Sequence, residues 1–386
     1  MMLGLLIIVV FILIIDVIPE FNIWQSRIHI GRWTDKELWK EKMSQKSLKW
    51  LKQTPTIKLT DNKRLIIIDI LKGNYKRKSI QHWQEAGLLL GLIEVYKKNK
   101  QPNIQKQINN YIAAQIDVKG NWKNKIDSID GVILAYAILK VTWVDHQKNK
   151  PAYDTIWRLI LNYIGTDGTV EYTKHMKDYR FVDTIGFICP FLITYGIKFN
   201  NKEAIDLGMN QINEFNNYAM LQNEFIPCHT YNIKSKLPVG LFGWGRGLGW
   251  YAIGLIDAWK ELPEDFIEKT ALTKNVVLFA KTAMQFQKKD GSWNWLVTSK
   301  EALADSSTTA TLAWFLANAT KIEEISTECK ASKDKALTYL MKVTRRTGAI
   351  DFSQGDTKGI GMYSQNFDIL PFTQGFTLRT VNFDCL

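Results

Sequence analysis

What most restricts the fold of this chain is a repeated punctuation between amphipathic segments. Lys119-Gly120-Asn121-Trp122, Asp167-Gly168-Thr169-Val170, Asp290-Gly291-Ser292-Trp293 and Thr347-Gly348-Ala349-Ile350 each follow a stretch with apolar residues at three- and four-residue spacing. Each pairs a glycine with a short hydrophobic piece, the chemistry of a tight turn that leads into a stub of strand. Turns spaced by helical hairpins mark a repeat architecture. Helices are expected at 34–53, 81–98, 102–115, 131–143, 152–163, 183–198, 202–217, 248–260, 265–287, 306–319, 332–343 and 370–380, with 64–70 as a strand candidate. Twelve helices in six hairpins predict an all-α fold, an (α/α)6 toroid with nearly all-apolar inner helices and a cleft built by the loops at one end. An open-ended α-solenoid is the alternative.

Ahead of the repeat, residues 1–15 form an unbroken apolar run, MMLGLLIIVVFILII, followed by Asp16 and Pro19. A spanning helix needs roughly 20 residues, and extension to residue 18 gives a short one. Neither a basic n-region nor a small-x-small cleavage site accompanies it. A helix apolar all round belongs in a core or in a membrane, and the membrane is the reading adopted. Residues 1–18 are thus expected as an uncleaved anchor, 19–33 as a linker and 34–386 as the toroid. Arg27, Arg32 and Lys36 follow the span, which by the positive-inside rule keeps the domain cytoplasmic, whereas long domains translocate regardless of such charge. The two arguments conflict; an extracytoplasmic domain is the expectation carried forward.

The formal net charge of +12 is carried mostly by scattered lysines such as Lys97, Lys98 and Lys100 or Lys288 and Lys289. Without a basic block or a nucleic-acid motif, this reads as a solvated surface, or as attraction to an acidic polymer, with no nucleic-acid partner expected. Cys189, Cys228, Cys329 and Cys385 show no paired spacing, so neither a zinc site nor a disulfide framework is indicated. No HExxH, P-loop, GxSxG or dinucleotide fingerprint supports metal, nucleotide or acyl-enzyme chemistry. The 14 Trp, 14 Tyr and 18 Phe fit either a bulky core or a carbohydrate cleft.

The densest candidate stretch is residues 243–259, GWGRGLGWYAIGLIDAW. Its glycines permit sharp bends and close ligand approach. Trp244 and Trp250 offer flat faces of the kind that stack on sugar rings, and Arg246 offers a planar fork suited to a carboxylate. A Gly-rich turn with two core tryptophans is the plainer alternative. Asp183, in Tyr179-Arg180-Phe181-Val182-Asp183-Thr184, stands at the mouth of a long apolar helix. It is read either as a helix cap or as an acid whose pKa is raised beside aromatic residues. Asp127 and Asp130 repeat the arrangement before the helix at 131, and two such carboxylates on one rim could form an acid pair. His229 precedes the Gly/Trp stretch, and His175 is equally plausible by composition.

Together these pieces resemble the unsaturated glycuronyl hydrolases of glycoside hydrolase families 88 and 105, from about residue 34 to the C-terminus. The marks are the carboxylate-led helix from Phe181, His229-x-Tyr231, Trp244-Gly245-Arg246-Gly247-x-Gly249-Trp250, Asp290-Gly291-Ser292-Trp293 and Asp305-Ser306-Ser307-Thr308-Thr309-Ala310. The resemblance implies an (α/α)6 barrel and a substrate left by a polysaccharide lyase, an oligosaccharide ending in a uronic acid with a C4=C5 double bond. It implies that an aspartic acid protonates C4, that water adds at C5, and that the hemiketal opens to release the next sugar, with no metal or other cofactor. By motif, Asp183 matches the general acid/base and Asp127 the second carboxylate, with Asp130 close in register. Arg246 and His229 would hold substrate, and Trp244, Trp250 and Phe181 would stack on its rings. Leu248 stands where the family usually has a polar residue, commonly Asn, and Thr184 where many relatives have an acid or amide.

Two other functions are compatible with the sequence. One is a different (α/α)6 carbohydrate enzyme, an inverting glycosidase or a lyase. The other is a catalytically silent toroid that binds an acidic glycan or a membrane partner.

Overall fold

The computed structural model describes residues 2–55, 65–73 and 81–383 of the chain. In order, its helices are α1 (Met2–Arg27), α2 (Lys36–Lys52), α3 (Ile66–Leu71), α4 (His82–Asn99), α5 (Pro102–Gln115), α6 (Val132–Leu139) and α7 (Lys150–Leu161). There follow α8 (Val182–Phe199), α9 (Lys202–Ala219), α10 (Gly245–Glu261), α11 (Ile267–Gln285), α12 (Ser306–Ala319), α13 (Ser326–Lys342) and α14 (Pro371–Val381). α4, α6, α8, α10, α12 and α14 each pack on the next, and α14 packs back on α4, so these six close an inner ring. α6, α8, α10 and α12 are buried along essentially their whole length because their sequences present apolar or small residues on every face. α2, α5, α7, α9, α11 and α13 lie outside them and bury one stripe each, which makes the (α/α)6 toroid that the helix count predicts.

The four glycine turns fasten this outer layer. Gly291 and Gly348 have φ of +90° and +80°, a conformation that L side chains rarely adopt. A Cβ at Gly291 would lie 2.2 Å from the Lys335 carbonyl oxygen in α13, and one at Gly348 would lie 2.6 Å from that of Lys42 in α2. The latter contact closes the outer ring from its last helix to its first. It is reinforced by Trp39 and Trp33, whose indole N–H groups donate to the Oγ1 (2.9 Å) and carbonyl oxygen (3.0 Å) of Thr344.

Three expectations change. Residues 64–70 do not give a strand: Ile66–Leu71 is the short helix α3, whose entry is fixed by Asp16 of α1, which accepts the backbone N–H groups of Leu65 (2.8 Å) and Ile66 (2.9 Å). Residues 19–33 are not an open linker, because α1 continues past Pro19 to Arg27 and then docks on the toroid. The strands are instead small pieces over one end. β1 (Tyr179–Phe181), β2 (Met220–Leu221), β3 (Ile226–Asn232) and β4 (Pro238–Phe242) form an antiparallel sheet in which β1, β2 and β4 all pair with β3, and β5 (Ser353–Gln354) pairs with β6 (Phe367–Asp368). The third change concerns the Gly/Trp stretch, which is not a loop: Trp244 is the N-cap and Gly245, Gly247 and Gly249 are already helical. Their missing side chains admit neighbours, since a Cβ at Gly245 would meet Thr308 Oγ1 at 2.2 Å and one at Gly249 would meet Thr311 Oγ1 at 2.3 Å. The glycines bring α10 against α12.

Candidate active site

The N-terminal ends of inner helices gather at one end of the ring, where β3 and the segment between β5 and β6 cover them. Helix N-termini carry unpaired N–H groups and partial positive charge, so carboxylates are at home there. Asp183 lies in the first turn of α8, two residues after Phe181, which caps the helix without a side-chain hydrogen bond. Its side chain is 16% exposed and its Oδ2 is buried without a hydrogen-bond partner. Burial raises its carboxyl from the ordinary value near 3.8 to about 7; Arg246 opposes the rise and Asp356 adds to it. Asp183 therefore is not the helix cap, and near neutral pH it holds or releases a proton readily.

His229 Nε2 stands 3.7 Å from that free Oδ2. The imidazole is buried between Phe181, edge-on at 5.5 Å, and the Trp244 ring at 4.6 Å. Burial lowers its pKa to about 4, so it is neutral at physiological pH. The Tyr363 hydroxyl lies 3.0 Å from Nδ1 and accepts the Leu241 N–H at 3.2 Å. With the phenolic proton donated to Nδ1, the neutral ring would carry its own proton on Nε2, facing Asp183.

Arg246 is 3% exposed. Its guanidinium donates to the carbonyl oxygens of Gln354 (2.6 Å) and Gly355, and it lies 4.0 Å from Asp356. The fork is thus engaged in holding the chain just after β5. Trp244 donates its indole N–H to Gln354 Oε1 (3.0 Å), and Asp305, the cap of α12, accepts the Gln354 N–H (2.9 Å). Three side chains from two inner-helix N-termini, those of α10 and α12, therefore grip one residue of the β5–β6 segment, which delivers Asp356 and Tyr363 to the cleft. Burial raises Asp356, against the pull of Arg246 and a hydrogen bond with Gln81, and the charge of Asp130 raises it further.

Of the sequence candidates, Asp183, His229, Phe181, Trp244 and Arg246 come together, although Trp244 and Arg246 are buried supports. Asp130 is half-buried, and its charge reaches both Asp356 and Tyr172, the ring next to Phe181. Asp127 is exposed, and of these groups only His82, at the entry of α4, feels its charge. Trp250 is 2% exposed among Phe187 (4.3 Å), Phe372 (4.8 Å) and Trp83 (5.6 Å), and Leu248 is equally buried, so both belong to the core. His175 is exposed on a single helical turn. Asp356, Tyr363 and Gln354 escaped the sequence reading because the stretch between β5 and β6 has no periodicity and no motif.

A closed six-hairpin toroid with carboxylates at its inner-helix N-termini defines an (α/α)6 enzyme scaffold. The sequence model of Glycosyl Hydrolase Family 88 matches residues 58–375, well over half of the chain, which belongs to that family and is a glycosidase. No curated protein matches it by sequence. Among solved structures, a possible member of the GH105 family from Salmonella enterica serovar Paratyphi A superimposes with a TM-score of 0.74 at 15% identity, over 89% of this chain and 92% of that one. An unsaturated glucuronyl hydrolase specific for heparin gives 0.68 at 16% identity, over 89% and 96%. The unsaturated glucuronyl hydrolase of Bacillus sp. GL1, responsible for the degradation of glycosaminoglycan, gives 0.65 at 12% identity, over 87% and 93%.

Proposed function

We propose that this protein removes a Δ4,5-unsaturated uronic acid from the non-reducing end of lyase-generated oligosaccharides. The observation that carries the reading is Asp183, a carboxyl near pKa 7 with a free oxygen at a helix mouth, beside a neutral histidine. Family membership and the names of the superimposed hydrolases support the same substrate class. Asp183 gives its proton to C4 of the conjugated acid, and the positive character that develops at C5 is met by water. The carboxylate so formed takes a proton from that water as the C5–O bond forms. The product is a hemiketal at C5. Its ring opens to a ketone, and collapse at C1 to an aldehyde expels the next sugar with its oxygen. The His229 Nε2 proton steadies the Asp183 carboxylate between the two transfers. Asp130 and Asp356 form the second acidic pole, with Asp130 rather than Asp127 as the partner carboxylate. Arg246 acts through the segment it holds.

The test is the ultraviolet band of the conjugated double bond, followed across a panel of lyase-generated oligosaccharides. Its decay with wild type but not with Asp183→Asn is the expected result. Reducing ends released only from saturated oligosaccharides would assign another (α/α)6 glycosidase activity, and tight binding without turnover a silent glycan-binding toroid.

A further inference from the structure

α1 and α3 carry apolar surface that the toroid does not use. Of the two helices among the described residues that are long and apolar enough to cross a membrane, α8 is an inner helix, while the apolar part of α1 is wholly unburied. α3 buries Ile66 and Asp69 but exposes Ile68, Ile70 and Leu71, the last to 81%, with its exposed N-cap Leu65 beside them. It sits against α1 at the level of Asp16, whose carboxylate would otherwise be a bare charge at the end of the apolar run but accepts two N–H groups of α3. One and two turns further along α1, Phe21 and Trp24 are exposed, with their rings tilted against each other at 5.5 Å. Exposed aromatic residues at the end of an apolar helix are the pattern of a membrane–water boundary. Arg32 and Lys36 follow, the charge complement of anionic headgroups.

We propose that α1 and α3 together seat the protein in a lipid bilayer, with the boundary between Asp16 and Trp24 and α3 lying in the interface. The seat is stiff. Arg27 ends α1 in a two-pronged ion pair with buried Asp351 (2.6 and 2.9 Å), Ser26 accepts the Arg346 N–H through its carbonyl (3.1 Å), and the Gly31 N–H donates to the Lys342 carbonyl (2.7 Å). Asp351 stands three residues before Gln354, so the anchor grips the strand that bears the cleft segment. Eleven residues of helix separate Asp16 from Arg27, about 17 Å at 1.5 Å per residue. The root of the cleft segment is thereby held at most that far from the lipid surface, at a fixed orientation, where a floating tether would let it wander.

The test uses the full chain in phosphatidylcholine–phosphatidylglycerol vesicles, with nitroxide labels on Leu71→Cys, Leu6→Cys and Lys300→Cys. Cys189, Cys228 and Cys329 are buried, and Cys385 is replaced by serine. Labels at 6 and 71 should collide with oxygen and be shielded from a water-soluble nickel chelate, whereas the label at 300 should show the reverse. Nickel access at 71 with shielding at 6 would overturn the role of α3, and nickel access at both would overturn the membrane seat itself. Dipolar broadening between labels at 71 would assign this face to a second copy of the chain. An intact mass lacking residues up to about 20 would also end the proposal. None of these outcomes depends on the glycosidase reading.

Discussion

Replacing Asp183 by asparagine should abolish turnover and, at the same time, make the protein more stable above neutral pH. The carboxyl stands at about 7 in the folded chain against an ordinary 3.8, chiefly because burial disfavours its charge. The native state therefore keeps this proton through a window, roughly pH 4 to 7, in which the unfolded chain has released it. Stability falls with rising pH wherever the native state binds more protons. The contribution of Asp183 is therefore neutral below about pH 4, declines across the window and is fully unfavourable above about pH 7. A rise of that size is worth about 4 kcal/mol. Asparagine is uncharged throughout and fills the same space, so it escapes the penalty. For a domain of about 350 residues unfolding with about 2 cal/mol/K of entropy per residue, 4 kcal/mol corresponds to about 5 °C in Tm.

Thermal unfolding of wild type and variant, followed by circular dichroism at pH 4 and pH 8, checks this directly. The two should melt together at pH 4, and the variant about 5 °C higher at pH 8. A variant that melts at or below wild type at pH 8 would refute the view that burial holds this carboxyl protonated. The kinetic half is separate: kcat should fall about 10²–10⁴-fold in the variant. Wild-type rate should follow the protonated fraction of the acid and drop about tenfold from pH 6 to pH 8. Higher stability with retained activity would leave the electrostatics standing and remove Asp183 from the chemistry.

Arg246→Lys should lower kcat/KM about 10–100-fold, because one ammonium cannot bridge two successive carbonyls as the guanidinium does, and misplacement of Asp356 and Tyr363 carries to the reaction; unchanged kinetics would mean the clamp is dispensable. Asp130→Asn should slow turnover, while Asp127→Asn should be nearly silent; the opposite ranking would make Asp127 the partner carboxylate. Arg27→Gln should destabilise the domain by about 2 kcal/mol in denaturant titration. Burial alone would raise the Asp351 carboxyl, but hydrogen bonds from Arg27 and Arg345 hold it below its usual range. The stabilisation from this site is accordingly present at neutral pH and lost as pH falls through the depressed value, so the Arg27→Gln difference should shrink in acid.

The helices were legible because burial imposes a period: each outer helix must turn one stripe inward, and α5 and α12 fall on their expected limits, Pro102–Gln115 and Ser306–Ala319. The glycine turns were legible as well, since a positive φ beside a neighbouring backbone leaves little choice of residue. Asp183 could be found because a helix mouth is a local feature. What the same local evidence could not separate was a glycine that admits a ligand from one that admits another helix, and α10 uses the second kind. Nor could it tell a tryptophan that faces a sugar from Trp250, whose partners Trp83, Phe187 and Phe372 lie on three other helices.

Asp356 and Tyr363 were invisible for a deeper reason: they reach the cleft only when the ring closes. The last outer helix must meet the first through Gly348 and Lys42, and Gln374 of α14 ties the two by donating to the carbonyls of Gly348 (2.9 Å) and Met43 (3.3 Å). Just before the chain enters β5, Arg27 from the N-terminal helix and Arg345 from the Gly348 turn converge on Asp351. Ring closure, attachment of α1 and delivery of the cleft segment thus occur within a dozen residues of one another. Any change that loosens this seam acts on all three at once. Substitutions around Asp351 should consequently perturb catalysis from outside the cleft, whereas equally buried substitutions in α7, across the ring from the seam, should affect stability alone.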